Sequence, residues 1–92
     1  MRRITFTVTN DEGIAGYWVT VGDIDLIFQS GKAEIRLAAK SRHALMWWMV
    51  GLPGKGISIV AKDSSGAEII KVEKSKIPTG ESQGGGGRRF DV

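Results

Sequence analysis

Residues 44–50 form an unbroken apolar run with two adjacent tryptophans at its centre, Ala44-Leu45-Met46-Trp47-Trp48-Met49-Val50. In an extended chain successive side chains point to opposite faces, so Leu45, Trp47 and Met49 would share one side and Ala44, Met46, Trp48 and Val50 the other. Both faces are then apolar, while a sheet packed on a single core hides only one of them. A helix over about 32–50 is the alternative. Its support is a run of good helix formers, a cap at Ser30 and a stop at Gly51-Leu52-Pro53. Its middle turn carries Lys40, Ser41, Arg42 and His43, however, which breaks the apolar stripe. Two strands fit better: Ala33, Ile35 and Leu37 alternate with Glu34 and Arg36, a polar turn follows, and the tryptophan run comes next.

The rest of the chain repeats this short-period grammar. Ile4, Phe6 and Val8 alternate with Thr5, Thr7 and Thr9 before the turn residues Asn10-Asp11-Glu12-Gly13. Tyr17, Val19 and Val21 alternate with Trp18 and Thr20, and Gly22-Asp23 turns the chain toward Ile24, Leu26 and Phe28 as a hairpin. Residues 57–62 and 67–72 form a second hairpin across Asp63-Ser64-Ser65-Gly66. Residues 77–87, ending in four consecutive glycines, offer almost nothing to bury and read as a flexible loop; Phe90 and Val92 then suit a short last strand. The expectation is an all-β antiparallel sandwich of seven or eight strands, jelly-roll or immunoglobulin-like in general architecture; the alternative is an α+β chain with the one helix. With 92 residues the whole chain, 1–92, makes one domain.

Composition narrows the chemistry. No cysteine and a single histidine remove disulfides, thiolate catalysis and sulfur-ligated zinc. Asp23 and Asp25, with Asp11 and Glu12 near the same end, could offer oxygen ligands to calcium, but aspartates in turns are the commoner case and no metal is assigned. Gly51-Leu52-Pro53-Gly54-Lys55-Gly56 lacks the ending of a phosphate-binding loop. His43 has no nucleophile turn beside it. No enzymatic activity and no cofactor are expected.

What remains is a surface. The second apolar face of the tryptophan strand calls for a lid, and the candidate contact residues are Trp47, Trp48, Met46 and Met49, with Trp18 and Tyr17 beside them. A second copy of the chain or another protein is the first expectation; a carbohydrate stacked on an exposed indole is the alternative. The plainer reading is that a loop of the same chain covers the face, or that one tryptophan simply stands at the surface. A third reading is a polyanion or nucleic acid. Residues 32–76 hold nine Lys or Arg against four acids, +5, and Lys40, Arg42, Arg88 and Arg89 form the candidate basic patch. The net charge of +3 and the absence of a recognition motif argue against it. Neither a secretory signal nor a membrane-length apolar run is present in the sequence, so a cytoplasmic location is the default expectation.

Overall fold

Alternation of β-branched and apolar residues carries through to strands. In the computed structural model, which describes residues 1–92, the chain forms β1 (Arg2–Asn10), β2 (Ile14–Val21), β3 (Ile24–Asp25), β4 (Lys32–Leu37), β5 (Arg42–Gly51), β6 (Gly56–Asp63), β7 (Glu68–Lys76) and β8 (Gln83–Asp91). They make two four-stranded sheets, ordered β4-β1-β6-β7 and β3-β2-β5-β8, with every pairing antiparallel. No helix is present. The stretch 32–50 is therefore β4, a turn and β5, not the alternative helix. At the turn Lys40 takes a left-handed φ of 57°, and the Ser41 hydroxyl donates to the Ala38 carbonyl at 2.6 Å.

The chain changes sheet at most of its connections and stays within one sheet only at the β2–β3 and β6–β7 hairpins. Each sheet turns its alternating apolar residues inward. Ile4, Phe6 and Val8 of β1, Ile57, Ile59 and Ala61 of β6, and Ile70 and Val72 of β7 meet Val19 and Val21 of β2, Leu45, Trp47 and Met49 of β5, and Phe90 of β8. Phe6 and Phe90 come from opposite sheets and touch edge to face at 6.1 Å. All nineteen side chains of this core are apolar, so its cohesion is hydrophobic burial, about 1.5–3 kcal/mol for each large side chain. The β2–β3 hairpin is shorter than its sequence pattern suggests. After Asp25 only the Leu26 amide stays on β2, at the Val19 carbonyl, and Ile27 turns out to solvent.

The main departure from the sequence expectation is at the glycines. Residues 83–87, read as part of a flexible loop, pair in register with β5: Val50 with Gln83, Met49 with Gly84, Trp48 with Gly85, Trp47 with Gly86 and Met46 with Gly87. Only residues 77–82 connect β7 to β8. Glycine in a strand interior loses conformational entropy without adding packing. Here the neighbouring strand supplies the missing side chains. A Cβ on Gly86 would lie 2.6 Å from the Trp47 ring, and one on Gly85 would lie 2.4 Å from the Trp47 carbonyl oxygen and 2.9 Å from the Trp48 ring. The two indoles thus cover β8 from both sides, Trp47 inside and Trp48 outside, in the manner by which aromatic residues stabilise a cross-strand glycine. The Arg88 guanidinium, donating to the Lys71 carbonyl at 2.6 Å, adds a link from β8 to β7.

Two carboxylates close the ends of the sandwich. Asp63 accepts from the Ser65 hydroxyl at 2.6 Å and from the Ser65 and Ala67 amides, and also pairs with Arg2. Asp11 pairs with Lys74 and accepts from the Gly56 amide at 3.0 Å. The Ser65 hydroxyl chiefly, helped by the loop amides and Arg2, holds Asp63 below the usual carboxylate value; Lys74 chiefly, then the Gly56 amide, does the same for Asp11.

Two predictions follow from these contacts. Gly85→Ala and Gly86→Ala each lower stability by about 1–3 kcal/mol, the usual cost of overpacking, whereas Gly87→Ala, whose Cβ has ordinary contact distances, costs less than about 1 kcal/mol in chemical denaturation. Equal effects at all three positions would contradict the cross-strand fit. The second concerns acid. Because both Asp values are lowered on folding, their stabilisation is complete above the unfolded value of about 3.9 and is lost as pH falls through the lower folded values. The D11N/D63N double variant should therefore lose less Tm between neutral pH and strong acid than the wild type; parallel curves would count against the two anchors.

Candidate functional site

Strand β5 lies between β2 and β8, and its register fixes what its two faces meet. Inward, Trp47 is 8% exposed and Met49 fully buried, and the Trp47 indole N–H donates to the Ser75 hydroxyl of β7 at 2.9 Å. Both were candidate contact residues; both belong to the core. Tyr17 pairs with Met49 on the same inner side and packs edge to face on Phe28 at 5.5 Å, half-buried at the margin of the core and off the outer face. These three face inward because β5 and β2 alternate in phase across the pair.

The outward phase holds Trp18, Met46 and Trp48, exposed by 57, 59 and 47%. Trp18 stands opposite Trp48 and Thr20 opposite Met46. From their shared level the rings diverge: the six-membered ring of Trp18 reaches the space above Gly16, and that of Trp48 the space above Gly85. Small residues on the flanking positions let both indoles lie toward the sheet. Trp18, Thr20, Met46, Trp47 and Trp48 line a shallow depression of about 220 Å³. That is smaller than the pockets of roughly 300–1,000 Å³ that enclose small molecules, so the site is a face rather than a cavity. Thr20, Gly16, Gly85 and Gly87 escaped the sequence reading. Their membership is set by cross-strand register, for which a single sequence gives no signal.

The outer surface of the other sheet is different in kind. Thr5 and Thr7 form its floor between Lys32 and Lys62, with Arg3 and Arg36 directly opposite one another on β1 and β4. Arg3 pairs with Glu34 at 3.3 Å. The apolar members of this surface are Val60, half-buried opposite Thr7, and Ile27, which stands exposed beside Lys32 and Glu34; the exposed tryptophans and Met46 gather on the β3-β2-β5-β8 sheet. A larger open depression of about 430 Å³, at Met1, Arg2, Arg3, Arg36 and Ser64, is lined mainly by polar groups.

The candidate basic patch divides: Arg88 and Arg89 are neighbours on a paired strand and point to opposite sides, and only Arg89 shares the outer face with Arg42. Arg88 is engaged by the Lys71 carbonyl, Arg42 by Asp91 at 3.1 Å, and Lys40 sits at the β4–β5 turn. His43 does meet a hydroxyl, with Nε2 2.8 Å from the Ser41 Oγ. That hydroxyl gives its own proton to the Ala38 carbonyl, and the His43 ring rests on Phe90 at 5.7 Å without a carboxylate partner. The pair is thus built as a turn lock; an activated serine needs its proton directed to the imidazole. Asp11 and Asp63 spend their oxygens on Lys74, Arg2 and loop donors.

Comparison with protein-family models, with curated proteins and with solved structures finds no match. The exposed face is therefore read from its own chemistry, and the two phases of β5 and β2 separate by mutation. Trp47→Ala should cost about 3–5 kcal/mol, as for a large core aromatic, while Trp18→Ala costs less than about 1 kcal/mol. Comparable losses in equilibrium denaturation would contradict the inward and outward assignment.

Proposed function

We propose that this protein is a non-catalytic assembly module whose contact surface is the outer face of the β3-β2-β5-β8 sheet and whose first partner is a second copy of itself. The observation that carries the reading is the exposed trio Trp18, Met46 and Trp48, side by side on one sheet face while the core beneath is already filled. Tryptophan and methionine are enriched in the cores of protein interfaces, and exposed apolar side chains gathered on one face mark contact surfaces. At about 250 Å² for a whole tryptophan, the three side chains offer on the order of 350 Å² per copy. Stacking two such four-stranded faces would bury on the order of 1,000 Å² in total, at the lower limit for a specific interface. A weak, reversible dimer is the expected product.

A second reading draws on the lie of the indoles. Rings directed along the sheet over Gly16 and Gly85 leave π surface toward solvent, which suits stacking of a sugar ring. Sedimentation from micromolar to millimolar protein separates the two. The assembly reading expects concentration-dependent mass that Trp18→Arg abolishes with little change in Tm. A wild-type protein that stays monomeric throughout would overturn it, and binding to a glycan array lost in the same variant would establish the sugar reading in its place.

A further inference from the structure

The outer face carries charge as well as indole, and the arrangement is self-complementary. Asp25 lies on β3, at one edge of the sheet, opposite Thr20; Thr20 is level with Met46, and Met46 with Gly87 of β8 at the other edge. Arg89 stands two residues along β8 from Gly87, opposite Ala44. Register therefore places Asp25 and Arg89 on the same outer face, on opposite edges, one pleat step of about 7 Å out of level. Both are exposed and neither makes an ion pair within the chain; the other charges of this face on β5 and β8, Arg42 and Asp91, pair with each other.

We infer that two copies stack these faces about a two-fold axis running parallel to the strands, so that Arg89 of each copy pairs with Asp25 of the other. This rests on the self-association reading and specifies its geometry. Rotation about such an axis exchanges the edges of the sheet, laying the partner's β3 over β8 and the partner's β2 over β5, while each residue keeps its level along the strand. Trp18 then faces the partner's Trp48, and Met46 faces the partner's Thr20. Stacked sheets sit about 10 Å apart, which leaves room for two flat indole layers between the backbones. An arginine side chain spans the remaining offset to the partner's Asp25. An axis perpendicular to the strands would place β2 over β2 and leave both charges at separate ends, so the unpaired Arg89 and Asp25 select the parallel axis. The partner is thereby fixed as an identical chain: the edge that offers the cation is complementary to the edge that offers the anion on the same face.

Charge exchange tests the geometry. R89D and D25R each set like charges against one another twice per dimer and should weaken dimerisation about tenfold or more, while the R89D/D25R double variant, with the pairs reversed, returns to within about threefold of wild type. Sedimentation equilibrium measures the dimer constant, and the Tm of each variant verifies the fold. A wild-type dimer with no rescue in the double variant overturns the parallel-axis stack and leaves self-association standing. A wild type without any dimer overturns both.

Discussion

The fold depends on a clamp: two adjacent indoles on β5 grip a glycine strand from its two sides. Trp47 lies beneath Gly86 and is tied by its N–H to Ser75 in the opposite sheet; Trp48 lies over Gly85 in solvent. Without the glycines the rings have nowhere to go, because a Cβ at either position would run into an indole or into the Trp47 carbonyl. Without the rings β8 is a bare backbone with little to bury. Each sequence oddity, the tryptophan pair and the glycine run, accounts for the other.

The clamp also explains why this protein presents a greasy face. A strand that must cover β8 on both sides has to place aromatic mass outside as well as inside, and Trp48 is the outer half of that requirement. Met46 covers Gly87 from the same outer side, but Trp18 lies beyond the need of the glycine strand, on β2 opposite Trp48. It extends the apolar area past what the β5–β8 pairing uses, and this surplus is what a contact surface would employ. On the opposite sheet the corresponding outer positions are Thr5, Thr7, Lys32, Lys62 and a half-buried Val60, the mainly polar composition of a solvated face.

Much of the fold was legible because period-two alternation is a local signal. Ile4-Thr5-Phe6-Thr7-Val8 and the two-faced run 44–50 declare themselves as strands from their own residues. The division of Trp47 from Trp48 is legible too, but which phase faces the core is not, since both are apolar; of the contact candidates the sequence offers, Trp47 and Met49 are interior and Tyr17 is half-buried at the core's margin. Strand β8 was illegible for a different reason. Glycine has no side chain to alternate, and the force that orders it resides in residues of another strand. The same non-locality hid the outer charges. Arg89 and Asp25 are sixty-four positions apart in sequence and meet on one face only through three successive strand registers.

Amide hydrogen exchange at glycines 84–87, read residue by residue by NMR in dilute protein, tests the clamp most directly. Those amides that face β5 should exchange slowly, with protection that falls sharply when Trp47 is replaced by Leu, while the Thr79, Gly80 and Ser82 amides of the connection exchange freely in both proteins. Exchange of all four glycine amides at the rate of an unstructured chain in the wild type would contradict it.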